Sequence, residues 1–379
     1  MLTNADIVEL TALRHDLHRH PEVSGAEVQT AARMASLLAA CQPDQIIPHL
    51  GGHGVAAVWV AADPGLTVMF RCELDALPIN ESAAHDHLSH SPGTAHLCGH
   101  DGHMVTLLGL ARLINRAPPT RGRVVLMFQP AEETGAGARA VMRDPAFAAL
   151  KPDLAFALHN MPGLPFGHAR LTDGVFSCAS RGLKITLTGR TAHASQPETG
   201  TSPALALADL IPALSALGPG GALTADFRAV TICHAQLGAP AFGIAPGMAE
   251  LWVTLRTVTD GPMAALETAA SDLIARSAAR HGLTQTIETH DIFAATVNAP
   301  LAARHMAKAL NALQVPTTAE NLPMRPSEDF GAFGADLCMI LLGAGEAVPA
   351  LHNPDYDFPD ALIPIGARLF HRLMADLLR

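Results

Sequence analysis

The sequence lacks the features that mark nucleic-acid-binding and membrane-embedded chains. No run rich in lysine or arginine occurs in its 379 residues, and the formal net charge is −10. An acidic chain without a basic patch is a poor candidate for binding nucleic acid or an anionic membrane surface. No apolar run approaches the roughly 20 residues that cross a bilayer. We therefore expect neither nucleic acid nor a membrane among its partners.

Paired cysteine spacing and an N-terminal leader pattern are also missing. The six cysteines are scattered at positions 41, 72, 98, 178, 233 and 338, which in a chain of this length predicts reduced thiols and not a disulfide framework. Residues 1–7 contain neither the basic nor the apolar stretch of a secretory signal. We expect the protein in the cytoplasm.

Charged residues are scarce, at 16%, whereas hydrophobic residues make up 49% of the chain. This composition predicts a folded protein with a large core and excludes intrinsic disorder. Because 379 residues exceed what one ordinary core accommodates, we expect two domains.

The segment from Thr94 to His103 has the highest density of potential metal-binding side chains in the chain. It contains a thiol, three imidazoles, a carboxylate and two glycines that permit sharp bends. Cys98 and His100 are candidate metal ligands because thiolate and neutral imidazole both bind zinc and neighbouring transition metals. Asp101 is a candidate for capping the helix that follows or for orienting an imidazole. On this segment alone, a buried thiol beside polar residues at a helix start remains an alternative.

Short apolar runs alternate with helical patterns outside the middle of the chain. Runs at 66–72, 123–128, 153–158 and 338–342 predict strands of a mainly parallel sheet, and therefore an α/β fold. Ligands bind where the carboxyl ends of such strands meet. Polar residues follow these runs, namely Asp75, Glu132, Glu133, His159 and His352.

These strand-end residues suggest distinct tasks. One of the two adjacent glutamates can ligate a metal while the other acts as a general base, because neighbouring side chains point in different directions. Asp75 is a candidate for orienting a metal ligand, and a turn-forming aspartate is the alternative.

The hydrophobic pattern in the middle of the chain differs from that of the rest. Alternating patterns at 180–188 and 249–257 and amphipathic patterns at 202–217 and 262–279 predict a β-α-β-β-α-β insertion. We place the domain with the mainly parallel sheet at residues 1–176 and 290–379 and the inserted α+β domain at residues 177–289. His193 lies in a turn of this insertion. Arg256, at a strand end, is a candidate for binding a substrate carboxylate or for pairing with a glutamate.

The first helical pattern, at residues 7–17, leads into His15, His18 and His20. In a chain with 20 histidines, we interpret each of these three as part of a solvated helix end.

Eight short motifs occur in a characteristic order. They are His-x-x-Pro-Glu at 18–22, Asp-Ala-Leu-Pro at 75–78, Cys-Gly-His-Asp-Gly-His at 98–103, Pro-Ala-Glu-Glu at 130–133, His-Asn at 159–160, Gly-Arg-Thr-Ala-His at 189–193, Ser-Glu-Asp-Phe at 327–330 and His-Asn-Pro at 352–354. In this order the chain resembles the amidohydrolase branch of the aminoacylase and carboxypeptidase metallopeptidases, which includes hippurate hydrolase and the plant hydrolases of auxin–amino-acid conjugates. The likeness extends over nearly the whole chain.

The resemblance implies a catalytic domain that holds two divalent metal ions, zinc or manganese, with nickel or cobalt as alternatives. Their ligands would be the positions that match the family, Cys98, His100, Glu133, His159 and His352. Glu132 would be the general base that takes a proton from a metal-bound water and so generates the attacking hydroxide.

The same resemblance implies that the inserted, ferredoxin-like domain is a lid through which the protein forms a homodimer. His193 would reach into the partner subunit's site and stabilise the oxyanion. The expected reaction is hydrolysis of the amide bond of an N-acyl amino acid or a similar small amide.

One position departs from the family pattern. Relatives usually carry an asparagine thirteen residues before the lid arginine, where it helps to hold the substrate carboxylate. Here Gly243 occupies that position, whereas Arg256 is at its matching place. Because glycine has no side-chain donor, we expect a weakened or differently built carboxylate site.

Three other functions compete with this interpretation. A dipeptidase or carboxypeptidase of the same family and a catalytically silent binding relative share the motifs. A dinucleotide-binding dehydrogenase is suggested by the Gly-x-Gly-x-x-Ala pattern at 135–140. Glu132, Glu133 and Thr134 disfavour the dehydrogenase, because they separate the glycine turn from the strand and two carboxylates repel a pyrophosphate.

Overall fold

The chain forms two compact units in a computed structural model that describes residues 1–334 and 336–379. The first unit comprises Met1–Phe176, Val297–Leu322 and Asp329–Arg379, and the second comprises Ser177–Thr296 and Pro323–Glu328. The second unit extends beyond residue 289 because the last strand of its sheet runs to Phe293.

Strands and helices alternate along most of the chain. The strands are β1 (Gln45–Leu50), β2 (Gly54–Val60), β3 (Asp63–Glu73), β4 (Arg121–Gln129), β5 (Leu154–Pro162), β6 (Ala169–Arg170), β7 (Gly174–Ser177), β8 (Ala179–Thr188), β9 (Ala192–His193), β10 (Arg228–Leu237), β11 (Ile244–Ala245), β12 (Met248–Thr257), β13 (Thr284–Phe293), β14 (Thr296–Asn298), β15 (Thr317–Thr318) and β16 (Asp336–Gly345). The α-helices are α1 (Asn4–Arg19), α2 (Val28–Ala39), α3 (His100–Arg116), α4 (Gly137–Arg143), α5 (Ala204–Leu217), α6 (Asp260–Arg280), α7 (Pro300–Ala312) and α8 (Leu362–Leu378).

The first unit is built on an eight-stranded sheet with the order β1-β2-β4-β3-β5-β16-β6-β15. Its central strands β4, β3, β5 and β16 are parallel, and Phe70 of β3 lies opposite Leu126 on one side and Phe156 on the other. Long uninterrupted stretches of these strands are buried, as expected for parallel strands covered on both faces. The predicted α/β class with a mainly parallel sheet is confirmed.

Two glycines fix the start of helix α3 against its surroundings. Gly99 has a φ of 91°, and a Cβ at this position would lie 2.5 Å from the side-chain oxygen of Asn160. A Cβ on Gly102 would overlap the ring of Phe358. Any larger side chain at either position would therefore move the helix that begins at His100.

The second unit contains a four-stranded antiparallel sheet with the order β10-β12-β8-β13. Alternate residues of β8, including Leu183, Ile185 and Leu187, are buried in one apolar cluster with residues of α5 and α6. The element order β8-α5-β10-β12-α6-β13 is the β-α-β-β-α-β pattern that the hydrophobic periodicity predicts.

Helix α1 differs from expectation at its C-terminal end. His20 is exposed, with 58% of its side chain accessible, whereas the His18 side chain is fully buried and that of His15 is 28% exposed. The prediction that His18 belongs to a solvated helix end is wrong. Its ring is covered because it lies against the start of α3, where its Nδ1 is 2.8 Å from Asp101 Oδ2.

All six cysteines are free thiols, and five of them are buried. Across residues 1–334 and 336–379, no helix combines the length and the apolar composition needed to cross a bilayer.

Candidate metal centre

The polar residues predicted at the sheet edge come from the ends of neighbouring parallel strands. Asp75 follows β3, Glu132 and Glu133 follow β4, and His159 lies near the end of β5. His100 is the first residue of α3. Because β4, β3 and β5 are adjacent and parallel, their carboxyl ends meet at one edge.

The structure brings all five predicted metal ligands together. Cys98 Sγ lies 3.4 Å from His159 Nε2, and Glu133 lies 3.8 Å from His100 Nε2 and 3.6 Å from His352 Nε2. Several groups of three donors have all their ligand atoms within 4.8 Å of one another, among them His100 with Glu132 and Glu133 and two groups that contain Cys98. The two groups that contain Cys98 are Cys98 with His100 and His159, and Cys98 with Glu133 and His352. Cys98 Sγ is the donor atom that these two groups share.

Hydrogen bonds at Nδ1 fix the tautomer of two candidate ligand imidazoles. The Nδ1 of His100 lies 2.8 Å from the carbonyl oxygen of Asp75, and the Nδ1 of His159 lies 2.7 Å from that of Asn160. A carbonyl only accepts, so both rings carry their proton on Nδ1 and present an unprotonated Nε2 when neutral. The His100 Nε2 is buried without a hydrogen-bond partner among the described residues. This donor set of thiolate, imidazole and carboxylate fits a divalent transition metal.

The electrostatics of the cluster also favour a bound cation. Burial, together with the nearby Glu133 and Glu132, raises the pKa of the Cys98 thiol well above its usual range. Burial lowers the pKa of His159 to about 3, so this ring is neutral. A divalent cation reverses the effect on the thiol, because it stabilises the thiolate and offsets the carboxylate charges.

Asp75 supports two of the candidate ligands. Its carbonyl binds His100, as described above, and its Oδ2 accepts hydrogen bonds from the Glu133 amide at 3.0 Å and the Ser24 hydroxyl at 2.6 Å. Asp75 therefore contacts the ring of His100 and the backbone of Glu133 at the same time.

Asp101 faces away from these ligands. Gly99 occupies the N-cap position of α3, and Asp101 Oδ1 accepts a hydrogen bond from the first-turn amide of Gly102 at 2.9 Å. Its other oxygen, Oδ2, binds the imidazole of His18 at 2.8 Å and Arg14 Nη1 at 3.3 Å. The imidazole that it orients therefore belongs to α1 and not to the candidate metal ligands.

A buried pair of side chains beside the centre was not predicted from the sequence. Glu73 Oε2 lies 2.6 Å from His103 Nδ1, and the His103 ring packs edge-on against His159 with ring centroids 4.8 Å apart. Because His100 and His103 are three residues apart on α3, the sequence indicates that they share a helix face, but it does not indicate the contact of His103 with Glu73.

In the second unit, His193 and Gly243 are neighbours. His193 pairs with Ile244 across the two-stranded β9/β11 sheet, and the Ala194 amide donates to the Gly243 carbonyl at 3.0 Å. The His193 ring is exposed, and its Nδ1 accepts a hydrogen bond from the Ser195 amide at 3.1 Å. In the neutral ring the proton is therefore on Nε2, which leaves this nitrogen as a donor.

Arg256 of the same unit is held by neutral groups. Its Nη1 donates to the carbonyl oxygen of Arg325 and to the hydroxyl of Ser327, both at 2.6 Å. Neither of these two partners is a glutamate, and neither carries a negative charge that would neutralise the guanidinium of Arg256.

Comparisons with known proteins agree with this geometry. The family model for Peptidase family M20/M25/M40 matches residues 69–376. An N-acetylcysteine deacetylase of Bacillus subtilis is 32% identical over 259 residues, which cover 68% of this chain and 67% of that protein. A hippurate hydrolase of Campylobacter jejuni is 28% identical over 377 residues, covering 98% and 97%. The crystal structure of the Bacillus subtilis YXEP protein, a dinuclear metal binding peptidase from the M20 family, superposes with a TM-score of 0.81. It is 25% identical and the match covers 100% of this chain and 99% of that one.

Fold and site together define a metal-binding hydrolase that acts on C–N amide bonds. The chain belongs to the M20/M25/M40 peptidase family. The resemblance to its amidohydrolase branch, inferred from eight motifs, is confirmed by the hippurate hydrolase and deacetylase relatives. Membership of this hydrolase family argues against the dinucleotide-binding alternative.

Replacement of Cys98 by alanine tests the shared ligand. Because both donor groups include this sulfur, Cys98→Ala should reduce the metal content of the centre at both positions, measured by elemental analysis after dialysis against a weak chelator. Cys233→Ala, which removes the exposed cysteine of the second unit, is the matched control and should retain the wild-type content. Unchanged metal content in Cys98→Ala would remove Cys98 from the ligand set.

Proposed function

We propose that this protein hydrolyses the amide bond of small N-acylated amino acids or similar amides, using two divalent metal ions held by its first unit. The main observation in support of this proposal is the pair of donor groups that share Cys98. The relatives support the substrate class, because N-acetylcysteine and hippurate, after which two of them are named, are both N-acylated amino acids.

The proposed ligands are the five residues that meet at the sheet edge, Cys98, His100, Glu133, His159 and His352. We propose zinc or manganese as the metal, and the thiolate favours zinc. Such ions, when bound, acidify water and polarise an amide carbonyl.

Glu132 is the proposed general base. It is 5% exposed, and its Oε2 lies 3.9 Å from His100 Nε2, so it borders the candidate ligands. In this role the carboxylate takes a proton from the attacking water and delivers it to the leaving amine nitrogen when the C–N bond breaks. Glu133, its neighbour, points towards His352 and is proposed as a ligand.

His193 is the proposed donor to the oxyanion. Support comes from its exposure and from its tautomer, which places a proton on Nε2. Following the family resemblance, we propose a homodimer formed through the second unit, in which His193 serves the metal centre of the partner subunit.

Gly243 and Arg256 are the proposed determinants of the substrate's carboxylate end. Arg256 carries a positive charge held by neutral partners. A side chain at Gly243 would have open space, since a Cβ there meets no atom within 4 Å. The missing donor at this position should relax the requirement for a carboxylate.

Glu132→Gln tests the proposed reaction. The wild-type enzyme should release amine from a panel of N-acetyl, N-benzoyl and N-succinyl amino acids, and a chelator should abolish this activity. In the variant, kcat should fall by about 10²–10⁴-fold because proton transfer is lost, while the metal content stays unchanged. Glu133→Gln is the matched control and should lose metal. A Glu132→Gln enzyme that retains the wild-type rate would contradict the base role, and cleavage of dipeptides alone would identify a peptidase.

A mixed dimer tests the exchange of His193 between subunits. Subunits carrying His193→Ala and subunits carrying Glu132→Gln, co-expressed with different tags, should each be inactive as homodimers. The purified mixed dimer contains one site with both residues intact if His193 acts across the dimer, and should recover about half of the wild-type rate. An inactive mixed dimer would place His193 in the site of its own subunit, and failure to form one would contradict the dimer.

Gly243→Asn tests the carboxylate site. The quantity to measure is the ratio of kcat/KM for N-acyl amino acids to kcat/KM for the matching uncharged amides. The added amide donor should raise this ratio by about tenfold or more, which is the value of one hydrogen bond to a charged group. Gly243→Leu adds similar volume without a donor and should leave this ratio unchanged. An equal ratio in the wild type and in Gly243→Asn would show that residue 243 does not face the carboxylate.

A further inference from the structure

A second histidine cluster lies in the first unit and is composed of residues that the candidate metal centre does not use. The rings of His15, His87 and His85 stack in parallel, with successive centroids 3.8 Å apart. His18 stands edge-on to His85 and His87, with centroids 5.2 Å away from each. Two carboxylates, those of Glu81 and Asp357, line the same cluster.

Two of these rings converge on a single carboxylate oxygen. Glu81 Oε1 lies 2.9 Å from His18 Nε2 and 3.0 Å from His85 Nε2. A carboxylate oxygen of Asp357 lies within 4.8 Å of ring nitrogens of both His18 and His85. Donors bound to one tetrahedral zinc ion at 2.0–2.1 Å are about 3.3 Å apart, so this convergence approaches the spacing of a metal site.

We propose that His18, His85 and Glu81 bind a divalent transition-metal cation of the zinc class, at a site distinct from the Cys98 centre. Asp357 supplies the fourth donor. Histidine nitrogen and carboxylate oxygen are ligands that zinc accepts.

The polar atoms of the His85 ring are unsatisfied within the described residues. Both of its ring nitrogens are buried, and neither makes a hydrogen bond within the part of the chain that the structure describes. The Nε2 is close to Glu81 but lies outside hydrogen-bond alignment with it. An unsatisfied buried polar atom is costly, and coordination to a cation would satisfy the Nε2.

The other two ligands are held by outer partners. His18 Nδ1 is 2.8 Å from Asp101 Oδ2, which fixes the ring with Nε2 turned towards Glu81. Glu81 uses its second oxygen, Oε2, to accept a hydrogen bond from the Ser89 amide at 2.7 Å. A carboxylate behind a ligating histidine is the usual support of metal-bound imidazoles. When the cation binds, the proton between His18 Nε2 and Glu81 leaves to solvent.

The charge around the site permits a cation. Arg14 is buried nearby, but it pairs with three carboxylates, Asp101 at 3.3 Å and Asp357 and Asp360 at 2.6 Å each. Glu81 adds a fourth negative charge, so the carboxylates outnumber the guanidinium. The Asp357 side chain is 30% exposed and that of His85 is 16% exposed, which gives an ion access from solvent.

The proposed ion would join three distant parts of the sequence. His18 belongs to α1, Glu81 and His85 lie in the segment between β3 and α3, and Asp357 precedes α8. A metal in this position is structural, because it fixes the segment that leads into the Cys98 centre.

Zinc stoichiometry of the purified full-length protein tests the proposal. After saturation with zinc and removal of loose ions by gel filtration, His85→Ala should hold one zinc fewer per subunit than the wild type. His90→Ala removes an exposed histidine of the same segment and should hold the wild-type number. Equal zinc content in the wild type and in His85→Ala overturns the proposal.

Two further variants separate this site from the Cys98 centre and from misfolding. Cys98→Ala should retain one zinc per subunit that the added His85→Ala change removes, so the result does not depend on the proposed amidohydrolase reaction. Glu81→Gln keeps the size of the side chain and should lose the same ion with an unchanged circular dichroism spectrum. Retention of that ion by a folded Glu81→Gln protein also overturns the proposal.

Discussion

A buried guanidinium group, that of Arg71, connects the parts of the first unit that carry the metal centre. It is 1% exposed and donates to Gln129 at the end of β4 and to Asp329, at 2.8 and 2.7 Å, and it also pairs with Glu73. Burial opposes the ionisation of Glu73, but Arg71 and His103 hold its pKa well below the usual range. Because breaking a buried ion pair costs about 3–5 kcal/mol, the strand ends, the Asp329 segment and His103 are fixed relative to one another.

The parallel sheet explains why much of the site was predictable. Parallel strands end at one edge, so polar residues that follow separate apolar runs converge without any knowledge of tertiary contacts. Glu133 and His159 were found in this way. Cys98 and His100 needed an additional signal, the bend-permitting glycines, and Gly99 does adopt a φ of 91° where Asn160 leaves no space for a side chain.

Other features could not be predicted from local sequence patterns. His18 looks like any polar residue in the last turn of a helix, and its burial depends on contact with Asp101, which lies 83 residues away in the sequence. The burial of Glu73 is equally impossible to predict from the local sequence, because a carboxylate after an apolar run indicates the end of a strand. Both cases follow one rule: a charged group enters the interior where an opposite charge from a distant segment meets it. Only the folded chain reveals such pairs.

The order of the strands has a consequence for how the protein is made. The first unit cannot complete its sheet until β16, which lies between β5 and β6, has left the ribosome, and β16 is the last strand in the sequence. Most of the second unit is contiguous, from Ser177 to Thr296, and its four-stranded sheet needs nothing later. The inserted unit is thus able to close its core during synthesis, while the edge of β5 that later pairs with β16 stays unpaired.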